Sequence, residues 1–431
     1  MSMNYLEKLS RIENDEYQKA AFESQNNTVV LAGPGSGKTT VLTLKAMHLL
    51  EEGISEPRGL ACLTYSREAA REFTDRLKEL GLVRGNNIFL GTVHSFCLTE
   101  ILGKFSDIYS VNIPTPIKLV PEKEKFRLFE KAKKNAQCSD EYFKIERMNC
   151  ARMLGVAGVS NISIDRDEIA ELIADEYKKL LYQAGYIDYE TIIIESTKLL
   201  QERPYVRECI SAKYPWLLID EYQDLGRPLH EMVLSLINNT NIKFFVVGDP
   251  DQSIYGFQGA VPDYLLELAD RPDVQKITLR NNYRSNQEII DGSELVLNQQ
   301  RGYVAKTREN ENAVYKFIEV NEELDDQIQY FVKKIVPKLI EIQIPYEEIA
   351  VLVGSKSDCN NIAISCQEEN IPYYIVKHQF NRSDFVKWIE NCASWIEENT
   401  DILFGDIGDF WISLISVNGS IYMTDDEKLI V

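Results

Sequence analysis

Short apolar runs punctuate the chain at Val29–Leu31, Leu60–Leu63, Trp216–Ile219 and Phe244–Val247, each giving way to a polar loop or a helical rhythm. Unbroken apolarity of this length predicts strands buried on both faces, as in a parallel sheet flanked by helices. After the first run, Val41, Leu42, Lys45, Ala46, Leu49 and Leu50 follow with helical spacing. Ile169, Leu172, Ile173, Tyr177, Leu180 and Leu181 recur at i, i+3 and i+4, so 104–206 is expected to be a helical subdomain inserted into the sheet domain. Beyond about residue 280 the pattern predicts a second α/β unit. Its expected strands are Val314–Ile318, Ile349–Val353 and Tyr373–Val376, with a helix over Leu324–Ile340.

The loop joining the first run to its helix reads Ala32-Gly33-Pro34-Gly35-Ser36-Gly37-Lys38-Thr39-Thr40. Small residues let successive backbone N–H groups point inward, and the following helix offers its positive end. With the lysine, they form a phosphate cradle for a nucleoside triphosphate. Lys38 is expected to reach the β- and γ-phosphates and Thr39 to ligate Mg²⁺, with Gly33, Gly35, Ser36, Gly37 and Thr40 lining the cradle. The strict pattern has glycine where Ala32 stands. The run Trp216–Ile219 then delivers Asp220-Glu221-Tyr222-Gln223-Asp224 to a strand end. Asp220 is the expected Mg²⁺ anchor. Glu221, one residue on, is placed to orient and deprotonate a water that attacks the γ-phosphate. ATP and Mg²⁺ are therefore the implied cofactors.

The net charge of −20 is unusual for a protein that binds phosphate backbones, but its distribution is uneven. Residues 281–431 carry −13 of it, whereas Lys104–Arg147 holds ten basic residues against seven acidic. That stretch is either a local basic surface or a solvated helix face. The eight cysteines form no Cys-x-x-Cys pair and have no histidine at ligand spacing, which argues against a zinc site or a disulfide framework. No apolar run is long enough to span a membrane and the N-terminus has no secretion-signal pattern, so a cytoplasmic location is expected.

Further motifs carry a resemblance. Asn14-Asp15-Glu16-Tyr17-Gln18, Leu63-Thr64-Tyr65-Ser66-Arg67-Glu68-Ala69-Ala70, Gly91-Thr92-Val93-His94-Ser95-Phe96, the stretch Gly248 to Ala260 and Asn282-Tyr283-Arg284-Ser285 stand in order around the two ATP motifs. Together they resemble the UvrD/Rep/PcrA-type superfamily 1A DNA helicases, motors that hydrolyse ATP to move 3′ to 5′ along single-stranded DNA. The resemblance implies a RecA-like P-loop NTPase domain 1A over 1–103 and 207–280, a helical insertion 1B over 104–206, and a partial RecA-like domain 2A over 281–431. It also implies that Gln18 reads adenine, Tyr283 stacks on it, Gln252 senses the γ-phosphate and Arg284 acts as an arginine finger. Thr64, Tyr65, Thr92, His94, Tyr255 and Phe257 would hold single-stranded DNA or a single-strand/duplex junction.

Two departures qualify these expectations. Gln258 stands where the family commonly has arginine. The family's last two motifs have no counterpart after Arg284, and His378 lies in a segment resembling the approach to a second insertion. The expectation is retained nucleotide binding, weak or absent hydrolysis in isolation and no processive unwinding. The rival reading is a nucleotide-gated DNA-binding regulatory subunit of a nuclease or antiphage-defence complex, for which a protein partner is the central requirement.

Overall fold

The computed structural model describes residues 3–82, 87–163, 166–256, 259–320, 324–375, 388–389 and 392–393. Phe257, Gln258, His378 and Val376 lie outside the described residues. Residues 1–314 form one compact unit and 315–431 a second.

The first unit is built on a sheet of strands β1 (Thr28–Ala32), β2 (Leu60–Thr64), β3 (Ile88–Thr92), β4 (Trp216–Ile219), β5 (Lys243–Gly248) and β6 (Gln275–Leu279). Their spatial order is β3-β2-β4-β5-β1-β6, and every pairing is parallel. The four predicted apolar runs are β1, β2, β4 and β5. Val29, Ala61, Leu63, Leu217, Ile219, Phe244 and Val246 enter one core. Val30, Ala32, Leu60, Cys62, Trp216, Leu218, Phe245 and Val247 enter the other. Successive side chains thus bury on opposite faces, which is why these strands read as continuous rather than alternating. β3 and β6 escape that pattern because they are edge strands: β3 is only partly buried, and Gln275 and Lys276 of β6 are exposed.

The predicted helical insertion has its own core, in which Leu128, Phe129, Ala132, Phe143, Met148, Ile173, Tyr177 and Leu181 are buried. Its predicted rhythm is the helix Glu168–Gln183. Ile169 and Leu172 nevertheless face solvent, because the apolar stripe is wider than the surface available to cover it. Within 104–206, Ile187, Ile192, Ile193, Leu199 and Leu200 pack into the sheet's core instead, so the helix Tyr189–Glu202 is the seam between insertion and sheet. The seam is pinned by a bidentate pair from Arg152 to Asp188 (2.6 and 2.9 Å). It is pinned again by Glu231, which accepts the Val159 and Ser160 amides at 2.8 and 3.0 Å, and by Glu267, which accepts the Asn161 amide at 2.8 Å. Of the basic stretch, Lys125, Arg127 and Lys133 are spent on Glu190, Glu124 and Glu130.

After β6 the chain forms a short parallel pair, β7 (Asn281–Asn282) with β8 (Val304–Ala305), joined through the helix Gln287–Leu297. In the second unit the predicted helix is present as consecutive segments from Leu324 to Glu341. Residues 314–318, 349–353 and 373–375, expected as strands, are irregular. A strand is stabilised by neighbours, and Val314, Phe317 and Leu352 are more than nine-tenths exposed. Among the described residues no helix is long and apolar enough to cross a membrane.

Candidate functional site

Parallel strands bring their carboxyl ends to one edge, the usual place for ligands in such sheets. Here that edge collects the cradle after β1, Thr64 at the end of β2, Thr92 at the end of β3, Asp220 after β4 and Asp249 after β5. In the cradle, Gly35 and Gly37 have φ of 70° and 88°, the left-handed region in which a side chain is strained. Gly37 also lacks room: a Cβ there would lie 2.5 Å from Gln18 Nε2. Gln18 itself donates one amide N–H to the Ser36 carbonyl at 2.8 Å and so buttresses the phosphate loop. Ser36 Oγ closes the turn by donating to Gly33 O at 2.7 Å. Lys38 opens the helix Lys38–His48, and Thr39 and Thr40 follow in its first turn.

Lys38 Nζ is buried without a hydrogen-bond partner among the described residues. Among the described residues its one ion pair is with Glu221 Oε2 at 3.7 Å. A buried ammonium with vacant donors is costly, and phosphate oxygens would satisfy it. Glu221 is itself held in the left-handed region (φ 50°) and accepts Gln223 Nε2 at 2.7 Å, so its carboxylate is aimed by strained backbone and a fixed amide. Burial, and then the charge of Glu221, raise the Asp220 carboxyl to about 7. Burial, and then Glu221, raise Asp224 to about 6, and burial raises Asp249. A hard divalent cation would offset that crowding of acids. A carboxylate, a hydroxyl and phosphate oxygens are the donor chemistry Mg²⁺ takes, so Asp220 and Thr39 fit it. Among the described residues no cluster of three or more His, Cys, Asp or Glu forms a dedicated metal cage.

Gln252 sits after β5, as expected, but its amide donates to Asp249 Oδ2 at 2.6 Å, a turn-capping contact. Asn282 ties the second motif group to the cradle: Nδ2 donates to Pro34 O at 2.8 Å, while Oδ1 accepts the Arg284 and Ser285 amides, each at 2.8 Å. The Tyr283 amide donates to Gly35 O (2.8 Å) and its hydroxyl to Asp15 Oδ2 (2.6 Å). Asp15 also caps the helix Glu16–Glu23. Tyr283 therefore joins the cradle to the Asn14–Gln18 motif. The Arg284 stem lies against Gly35, where a Cβ would fall 2.6 Å from its own, and the residue as a whole is exposed.

Residues missed by the sequence reading also reach this edge. Arg76 is one of the cations that draw the Asp220 carboxyl back down. Arg301 pairs with Asp251 at 2.6 Å, and Tyr303 covers Gly33. Behind the acids, the Tyr222 hydroxyl meets His230 Nδ1 at 2.8 Å, and His230 Nε2 meets Glu267 at 3.1 Å. Burial lowers His230 to about 4, leaving the imidazole neutral at physiological pH.

The expected nucleic-acid contacts divide. Tyr65 and Tyr255 stand together, ring centroids 4.8 Å apart. Tyr65 and His94 line a cavity of about 330 Å³ with Lys125, Phe126 and Asn149 from the insertion. His94 meets Tyr189 edge-on at 5.6 Å, and burial followed by Arg67 lowers it to about 4, so it is a neutral donor or acceptor. Thr64 is buried, its hydroxyl donating to Ser66 O at 3.0 Å. Thr92 caps the helix Val93–Phe96 by accepting the Ser95 amide. Both threonines are thus held by local turns in this structure.

The UvrD/REP helicase N-terminal domain family matches residues 13–273, and the UvrD-like helicase C-terminal domain family matches 277–389. ATP-dependent DNA helicase Rep of Buchnera aphidicola is 30% identical over 376 residues, 83% of this chain and 57% of the relative. ATP-dependent DNA helicase PcrA of Staphylococcus epidermidis is 26% identical over 408 residues, 90% of this chain and 54% of the relative. DNA helicase II of Rickettsia typhi is 26% identical over 378 residues, 84% and 56% of the two chains. The chain spans about half the length of the curated relatives it matches. With the phosphate cradle, the strand-end acids and the family motifs gathered along one sheet edge, the chain belongs to the UvrD/Rep helicase family.

Proposed function

We propose that the chain is the ATP-binding motor portion of a UvrD-type DNA helicase, coupling ATP hydrolysis to 3′-to-5′ movement on single-stranded DNA in the cytoplasm. The buried, unpartnered Lys38 ammonium facing Glu221 carries this reading. In it, Lys38 draws in the β- and γ-phosphates, and Glu221 accepts a proton from the attacking water. Asp220 and Thr39 hold Mg²⁺, which supplies charge neutralisation at the phosphates when bound. Arg284 and Gln252 leave their present positions for the γ-phosphate once nucleotide is bound. Tyr65 and Tyr255 stack bases, a contact that tolerates any sequence. The reading keeps residues 1–103 with 207–280 as the ATP-binding domain, 104–206 as insertion and 281 onward as part of the second motor domain.

The test is Mg²⁺-dependent binding of a fluorescent ATP analogue, followed by steady-state hydrolysis with and without single-stranded DNA. Wild-type protein is expected to bind nucleotide and, in isolation, to hydrolyse it weakly at most, any such rate rising with DNA. Lys38→Ala is expected to lose both while melting no lower, because Lys38 makes no hydrogen bond that the fold would miss. Equal nucleotide binding by the variant refutes the reading.

A further inference from the structure

We propose that Arg301 is a second γ-phosphate-directed arginine, docked on Asp251 and carried to the phosphate loop by Tyr303. The inference rests on the ATP-site reading above and adds a residue to it. Arg301, Gly302 and Tyr303 lie in the connection between the helix Gln287–Leu297 and β8, with Gly302 in the left-handed region at φ 67°. That helix holds the connection. Glu294 Oε1 accepts the Arg301 amide at 3.1 Å, while Gln287 donates to Tyr303 O at 3.1 Å and accepts the Ala305 amide at 2.9 Å. The Tyr303 ring fills the space beside Gly33, the first glycine of the cradle, with ring carbons 2.6 Å from where a Cβ would be.

Arg301 lies beside this ring, its guanidinium 5.9 Å from the ring centre, with a side chain only 11% exposed. Nη2 approaches Asp251 at 2.6 Å without the alignment of a hydrogen bond, and Nε has no partner among the described residues. A guanidinium carries five donors in a planar fork, and one carboxylate leaves most of them idle. Asp251 neighbours Gln252, whose amide rests on Asp249. Both Lys38 and Arg301 act on the Asp249 carboxylate, drawing down a value raised by burial. Both cations thus bear on the acid that follows β5. A terminal phosphate held by Lys38 would offer the acceptors Arg301 lacks, in the bidentate geometry that arginine favours. Arg284, by contrast, is exposed and touches the cradle through its stem. A nucleoside diphosphate has no group at that position, so Arg301 would distinguish the triphosphate from its product.

Equilibrium binding of a non-hydrolysable fluorescent ATP analogue and of fluorescent ADP, both with Mg²⁺, tests this in wild type, Arg301→Ala and Arg301→Lys. Arg301→Ala is expected to weaken the triphosphate by about tenfold or more and ADP by less than about twofold, as loss of one charge-assisted contact predicts. Arg301→Lys keeps the charge for Asp251 without the fork, so it is expected to fold as wild type and lose a smaller share, again from the triphosphate alone. Equal loss for both nucleotides, or none, overturns the assignment and leaves Arg301 a structural ion pair. Wild-type protein that binds neither nucleotide overturns the ATP reading itself, and the role of Arg301 with it.

Discussion

Replacing Asp220 by asparagine should make the nucleotide-free protein more stable while disabling Mg²⁺-dependent binding. Asp220 is 7% exposed, and burial together with Glu221 lifts its carboxyl from 3.8 to about 7. At about 1.36 kcal/mol per pH unit, that displacement caps the cost of the ionised side chain at about 4 kcal/mol. The sign follows from linkage: folding favours the protonated acid, so its contribution is fully present below about pH 4 and is lost as pH rises through about 7. Asparagine carries no charge to bury, and its Oδ1 can still accept the Glu221 amide that Asp220 accepts at 3.0 Å. The expected gain is near zero at about pH 4 and about 1–3 kcal/mol at about pH 8, allowing for relaxation around the charge. Thermal melts of wild type and Asp220→Asn in chelator, across that range, read the gap directly. Saturating Mg²⁺ and ATP should then raise the melting temperature of wild type but not of the variant, since stabilisation by ligand requires the site. A gap that does not change with pH, or a variant less stable than wild type at high pH, refutes the reasoning.

Two further outcomes are expected. Gly37→Ala places a Cβ in the left-handed region and 2.5 Å from Gln18 Nε2, so it should lose nucleotide binding and lower stability by about 1–2 kcal/mol, measured by titration and denaturant melts. Tyr65→Ala should weaken single-stranded DNA binding by about 1–3 kcal/mol, roughly 5- to 150-fold in fluorescence anisotropy, with nucleotide affinity unchanged. An unchanged DNA affinity would make the Tyr65–Tyr255 pair a packing contact only.

The central strands and the cradle were legible because both depend on local chemistry: apolar runs for strands buried on two faces, glycines for a turn that side chains cannot make. The acids after β4 were legible for the same reason. β3 and β6 were not, since edge strands need no continuous apolar run. The strands expected in 314–318, 349–353 and 373–375 show the converse: apolar residues propose a strand, but only a neighbour stabilises it. At the site, what the sequence hid were pairings between distant segments. The Gln18 amide donates to the Ser36 carbonyl, and the Gln252 amide donates to Asp249. The Arg301-Gly302-Tyr303 triplet carried one signal that could have been used, a glycine between a guanidinium and an aromatic ring just after a helix end. Its meaning depended on Gly33 and Asp251, which only the fold brings near.

The carboxylates of Glu231 and Glu267 that grip the 159–161 backbone have a mechanical consequence. Glu231 belongs to the helix Arg227–Asn239, which begins just past the acidic loop, and Glu267 is linked through His230 to Tyr222, the residue beside Glu221. A displacement of that loop would therefore reach the insertion through direct hydrogen bonds of 2.8–3.1 Å. On the proposed reading, the insertion would travel with the ATP-binding sheet as one lever instead of hinging against it.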